Sequence, residues 1–130
     1  MSATAIVINA GLGDLTLGLQ SAGFNVVADY EADEKALELH KINFSLPAYS
    51  VLKNEEKHNT SLDCDRIDFL AAHFYKSAFF NFKKADPTLS AFQSIISNYK
   101  PRMFLLILGV RTIPKDCIID VLQGLARNQY

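Results

Sequence analysis

The stretch Asn9-Ala10-Gly11-Leu12-Gly13-Asp14 directly follows the apolar run Thr4 to Ile8 and directly precedes a helical pattern. About twenty residues beyond Gly11, the next apolar run, Asn25 to Tyr30, ends on an acid, Glu31. Glycines let a backbone pass close to a ligand, and a helix start turns free N–H groups toward an anion. An acid closing the second strand of such a unit takes the two ribose hydroxyls of a bound nucleoside. The candidate site is thus a nucleoside half-site built from the Ala10 to Asp14 backbone and the Glu31 carboxylate. The same glycines would also serve a tight strand-to-helix turn with no ligand, and Glu31 by default is a solvated acid at a strand end. Nothing in this pattern names the cofactor.

The elements that must hold these residues alternate. A helix is expected from Asp14 to Ala22, with Leu15, Leu19 and Ala22 at i, i+4 and i+7 and Gly23 ending it. A second strand, Val26 to Tyr30, leads to Asp33, a cap for a helix through Asn43. Residues 45–65 read as a polar loop with one short edge strand near Tyr49 to Leu52. Ile67 to Ala72 reads as a buried strand, followed by a long connection from His73 to Pro87. A helix runs from Thr88 to about Asn98, its apolar face on Leu89, Phe92, Ile96 and Tyr99, and Lys100-Pro101 breaks it. Met103 to Leu108 is the most apolar strand, and a last helix, Asp116 to Asn128, starts just after Pro114. Strands alternating with helices imply a doubly wound α/β domain with a mostly parallel sheet, strand order 3-2-1-4-5 and helices on both faces.

The bulk properties narrow the class. A chain of 130 residues makes one domain, and 49% hydrophobic with 21% charged residues is ordinary for a globular protein. A net charge of −1 argues against strong DNA binding by this chain alone. No apolar run reaches the roughly 20 residues of a membrane span, and Met1 to Thr4 lacks the basic start of a signal peptide. Two distant cysteines, Cys64 and Cys117, suit reduced cytoplasmic thiols. His40, His58 and His73 have no mutual metal-ligand spacing, so they read as surface or packing residues and no metal site is expected. Lys83-Lys84 is too little for a nucleic-acid site. Phe74, Tyr75, Phe79, Phe80 and Phe82 are many aromatics for one connection. They read either as core or as a patch facing a protein partner.

Taken in order, the segments resemble the amino-terminal half of cytosine carbon-5 DNA methyltransferases. That family opens with a strand and Phe-x-Gly-x-Gly-Gly, matched by Asn9 to Asp14. Leu15-Thr16-Leu17-Gly18-Leu19, Ala22-Gly23-Phe24, Glu31-Ala32-Asp33 with Ala36, and Asn43-Phe44 continue the match. Ile67-Asp68-Phe69-Leu70 looks like the strand before the catalytic loop, Pro87-Thr88-Leu89 and Phe92 like the helix after it, and Lys100 to Leu106 like the next strand. The resemblance implies a Rossmann-like domain with S-adenosylmethionine as cofactor. The cofactor's carboxylate would lie on Ala10, Gly11, Leu12, Gly13 and Asp14, and its ribose on Glu31 and Ala32.

The departures fall on the chemistry. Where the family has the cysteine of Pro-Cys-Gln, the alignment puts Lys76, flanked by Tyr75 and Ser77. An amine with pKa about 10.4 is almost wholly protonated near neutrality and lacks a thiolate's nucleophilic and leaving-group character. The family's base-gripping glutamate becomes Ile107 or Leu108, and its adenine-binding acid becomes Ser50. Asp14, in place of a glycine, sets a carboxylate beside the cofactor's own and weakens binding. Cys64 precedes the fourth strand and Cys117 starts a helix, so neither is placed as a nucleophile. Nothing in the remaining residues reads as a target-recognition domain. The leading expectation is therefore a methyltransferase-like domain without catalysis, a regulatory partner or a remnant. The alternatives are a subunit of a split active enzyme, or an unrelated nucleotide-binding domain, the last weakened by Thr16 where a dinucleotide fingerprint wants its third glycine.

Overall fold

The computed structural model describes residues 2–52, 62, 66–74 and 87–108, with isolated positions 119, 123 and 127. Eight elements follow in order: β1 (Thr4–Ile8), α1 (Asp14–Ser21), β2 (Asn25–Glu31), α2 (Glu34–Asn43), β3 (Ala48–Ser50), β4 (Phe69–Phe74), α3 (Pro87–Tyr99) and β5 (Met103–Leu108). All strand pairs are parallel and the order across the sheet is β3-β2-β1-β4-β5. The expected Rossmann-like doubly wound fold, in the expected strand order, is the fold observed. The expected last helix, the aromatics beyond Phe74, Lys76, His58 and both cysteines lie outside the described residues. Of that helix, positions 119, 123 and 127 are described and are helical.

The parallel sheet is buried on both faces at its centre, and β1 shows how. Ile6 and Ile8 point into one core with Ala28, Tyr30, Leu70, Ala72 and Phe74, closed by Ala91, Phe92, Ile95 and Ile96 of α3. Ala5 and Val7 point the other way, into a core with Val26, Ala71 and Leu19 of α1. This period-two split is why the strand reads as an unbroken apolar run. Each fully buried Ile or Leu side chain contributes about 1.5–3 kcal/mol.

Several element limits shift. β4 ends at Phe74, two residues beyond the expected strand, and Ile67 is buried ahead of it. β3 is Ala48–Ser50 instead of Tyr49 to Leu52. On α1 the buried residues are Thr16 and Leu19, while Ala22 is exposed as the C-cap. The helix stops one residue earlier, and Gly23 at φ 88 turns the chain out.

A register shift between β1 and β2 decides which β2 side chains reach which face. Ala5 pairs with Val26, but Ile6 pairs with Ala28. One extra residue in β2 reverses its alternation. Val26 therefore packs on the α1 side, Val27, Ala28 and Tyr30 on the α3 side, and Asp29 returns to the α1 side, where Thr16 meets it.

Candidate functional site

In an open parallel sheet, ligands bind beyond the carboxyl ends of the strands. Here the loop after β1, the end of β2 and the end of β4 converge at that edge. Ala10 N–H donates to the Tyr30 carbonyl at 3.1 Å and continues the β1–β2 ladder past the strand end. The chain then reverses through Gly11 at φ 57 and Gly13 at φ 104, both at positive φ, which L side chains disfavour. Gly13 caps α1: its carbonyl accepts from Leu17 N–H at 2.8 Å, and its N–H donates to the Ala10 carbonyl at 2.9 Å. The first-turn N–H groups from Asp14 to Thr16 have no acceptor within the helix. They form the anion-facing end of the loop.

Glu31 is not the solvated acid its position suggested. It is 5% exposed. One carboxylate oxygen accepts from Gly11 N–H at 2.7 Å and the other from Asp33 N–H at 2.8 Å. Each oxygen keeps a second lone pair, so the acid both ties the glycine loop to β2 and retains acceptor capacity for two hydroxyls. Ala32 is half-buried beside it, whereas Leu12 and Asp14 are exposed on the loop. Asp33 caps α2 as expected, accepting from Ala36 N–H at 2.9 Å.

Asn9 stands where the resemblance has phenylalanine. It is buried, adopts φ 55, and its amide nitrogen donates to the His73 carbonyl at 2.8 Å. Thr88 Oγ1, at the start of α3, lies 3.5 Å from the Asn9 side-chain oxygen. The end of β1 is thereby pinned to the end of β4 through a polar side chain.

Phe74 follows the core reading of the aromatics: it is buried and meets Phe92 edge-on at 5.7 Å. Of the surface and packing roles expected for His40, the structure shows burial, beside an acid. Its Nε2 lies 2.6 Å from Asp29 Oδ2, with both side chains 1% exposed, and Thr16 Oγ1 donates to the same Asp29 oxygen at 2.7 Å. Burial raises the Asp29 carboxyl from 3.8 to about 7, the Thr16 hydrogen bond only partly offsetting it. Burial also lowers His40 below its usual 6.5, opposed by the Glu31 charge and the Gly11 backbone. The sequence did carry a signal for this trio. Leu37, His40 and Phe44 fall at i, i+3 and i+7, a buried helical stripe, and Asp29 interrupts an otherwise apolar strand.

The remaining candidates sit as follows. His73 is half-buried in β4. Ser50, at the end of β3, is buried, and its hydroxyl accepts from Leu52 N–H at 3.2 Å. Ile107 is 36% exposed on the β5 face that also shows Met103 and Leu105, and Leu108 is half-buried. Among the described residues, no group of three potential metal ligands occurs, and no helix is long and apolar enough to cross a membrane.

The family model for C-5 cytosine-specific DNA methylase matches residues 4–74, from the start of β1 to the end of β4. The Type II methyltransferase M.HindV of Haemophilus influenzae is 32% identical over 118 residues, covering 85% of this chain and 38% of that protein. Among solved structures, a prophage-encoded DNA modification methyltransferase of E. coli superposes with a TM-score of 0.65 at 22% identity, covering 96% of this chain and 38% of that one. The S. pombe Dnmt2 methyltransferase superposes with a TM-score of 0.62 at 12% identity, covering 95% and 41%. These two structures speak for the fold. The chain spans well under half the length of M.HindV. With its front half matched by the family model and most of its length aligned to M.HindV, the chain belongs to the C-5 cytosine-specific DNA methylase family.

Proposed function

We propose that this domain binds S-adenosylmethionine at the carboxyl edge of its sheet and does not itself transfer the methyl group. The observation that carries the first half is the Glu31 carboxylate, held between Gly11 N–H and Asp33 N–H and directed at the glycine loop. That geometry fits the cofactor. The loop backbone from Ala10 to Asp14 would hold its carboxylate end, and Glu31 with Ala32 its ribose. When bound, the cofactor supplies an electrophilic methyl group. The chain's own part is to orient it and neutralise its charge. Asp14 adds like charge at the carboxylate end and weakens the fit.

The second half rests on residue chemistry. Lys76 takes the nucleophile's place in the alignment, and Ile107 or Leu108 the place of the base-gripping acid. A protonated amine and two hydrocarbons do not form and release a covalent bond to a cytosine ring. The domain then serves as a regulatory partner or a remnant of the scaffold.

Calorimetric titration with S-adenosylmethionine, using wild type and Glu31→Ala, tests the cofactor reading. Loss of charge-assisted hydrogen bonds should weaken binding by about 1–3 kcal/mol. Equal affinity of the two proteins removes Glu31 from the site. A nicotinamide dinucleotide binding in place of S-adenosylmethionine would favour an unrelated nucleotide function instead.

A second reading, a subunit of a split active methyltransferase, is favoured by one observation. Met103, Leu105 and Ile107 leave an apolar strand face open on β5, a surface that further polypeptide would cover. This reading requires the other polypeptide to bring nucleophile, acid and DNA reader into register with this chain's cofactor to within tenths of an ångström.

A further inference from the structure

We propose that the glycine loop selects an adenosine whose 5′ tail is cationic and carries no carboxylate, with Asp14 as the residue that discriminates. The inference rests on the nucleoside reading of the Glu31 loop and concerns only what that loop admits beyond the ribose.

The carboxylates at this edge differ in what already engages them. Glu31 has both oxygens on backbone amides, Gly11 N–H at 2.7 Å and Asp33 N–H at 2.8 Å. Asp33 accepts from Ala36 N–H at 2.9 Å. Asp14 is exposed, and among the described residues no hydrogen bond or ion pair engages its carboxylate. It is the first residue of α1, and a helical side chain leans toward the helix N-terminus. Its charge therefore lies over the end of the loop that the first-turn N–H groups face.

The backbone holds Asp14 in that place. Gly13 N–H donates to the Ala10 carbonyl at 2.9 Å, and the Gly13 carbonyl accepts from Leu17 N–H at 2.8 Å. The Phe44 ring fills the space a Gly13 side chain would need. The helix start is thus fixed from both sides.

A bare helix start draws an anion because its N–H groups and dipole are unmatched. Here the chain supplies the anion itself, and Asp14 offsets that attraction before any ligand arrives. An amino-acid tail brings a carboxylate and an ammonium on one carbon, and their effects on Asp14 nearly cancel. A tail with the ammonium alone keeps the attraction and drops the repulsion. The surroundings act in the same direction. No Lys or Arg precedes Lys35 in the chain. Across the loop, the end of β2 and the first turn of α2, Asp14, Glu31, Asp33 and Glu34 stand against that single base. Two unit charges about 4 Å apart in water change an equilibrium constant about fivefold, which is the size of effect expected from Asp14.

The test titrates two nucleosides into the full chain by calorimetry at pH 7 and low salt: S-adenosylmethionine and its decarboxylated analogue, whose tail ends in the amine alone. Wild type should bind the analogue more tightly. In Asp14→Asn, nearly the same shape without the charge, that preference should shrink about fivefold or reverse. At 1 M salt, where screening acts within about 3 Å, the wild-type preference should shrink as well. Glu31→Ala should weaken both ligands alike, since both carry the ribose, and leave their ratio unchanged. Asp14→Gly gives the same ratio test if Asp14→Asn fails to fold. Tighter binding of S-adenosylmethionine by wild type overturns the inference and leaves the nucleoside reading standing. A preference that neither Asp14 variant alters does the same. If wild type binds neither nucleoside, the reading itself fails and takes the inference with it.

Discussion

Gly13→Ala is the substitution whose cost the structure specifies most fully. Two separate penalties apply. The backbone at φ 104 lies where an L side chain is strained, a cost of about 1–3 kcal/mol. The added Cβ would also overlap Phe44, 2.0 Å from Cε2 and 2.6 Å from Cζ. Those atoms are the far end of a side chain, so the ring could in principle swing away. It is held, however, by its stack on His40, and displacing a packed ring costs about 1–3 kcal/mol. The single variant should therefore lose about 2–6 kcal/mol, a large share of the roughly 5–15 kcal/mol typical of a domain. Phe44→Ala separates the two penalties. In that background the clash is gone and only the backbone strain remains, so Gly13→Ala should cost about 1–3 kcal/mol less than in wild type. Urea unfolding of the four proteins, with equal slopes, gives this coupling directly. If Gly13→Ala costs the same with and without Phe44, the ring does not lie over the loop.

Three further outcomes follow from the site. Asp29 has its pKa raised from 3.8 to about 7, so it contributes stability that is complete below about 3.8 and is lost as pH rises through about 7. At about 1.4 kcal/mol per pKa unit, the loss has a ceiling near 4 kcal/mol, reduced to the extent that His40 takes the proton. Wild type should lose stability relative to Asp29→Asn between pH 4 and 8 in urea unfolding, and parallel curves would show that Asp29 ionises without cost. Asp14→Gly removes like charge at the carboxylate end of the loop and frees its backbone. S-adenosylmethionine should bind more tightly by calorimetry, and weaker binding would place the cofactor carboxylate elsewhere. Lys76→Cys supplies a thiol without the partner acid or a means of flipping the base, which costs a few kcal/mol. Neither it nor wild type should incorporate tritiated methyl into unmethylated duplex DNA. Turnover by wild type would refute the non-catalytic reading, and turnover by the variant alone would make Lys76 the single lesion.

How far the sequence could be read depends on what kind of interaction fixes each residue. The strands were legible because a buried parallel strand is an apolar run between turn residues, and β1 and β5 have the expected limits. The cap at Asp33 was legible because it is local, three residues from the amide it accepts. β4 was displaced by two residues because its end is set by pairing with β5, His73 opposite Ile107 and Phe74 opposite Leu108, and not by any turn residue of its own. The burial of Glu31 was hidden for the same reason. Its partners include an amide twenty positions away, across the first crossover.

The Asp29 and His40 pair shows the deeper limit, and it bears on what the domain is for. Strict alternation from Val26 would send Asp29 to the α3 side, into hydrocarbon. One extra residue in β2 sends it to α1 instead, to Thr16 and His40. No propensity encodes that shift. It follows from how two strands settle against each other. Yet the result sets a costly buried acid behind the loop that the family resemblance marks for the cofactor, while the family match itself ends at Phe74, just before Lys76. A scaffold retained for packing alone would gain stability by replacing Asp29 and His40 with apolar residues of similar volume. The pair is a cost that packing alone does not repay, set behind the glycine loop by a one-residue shift between β1 and β2.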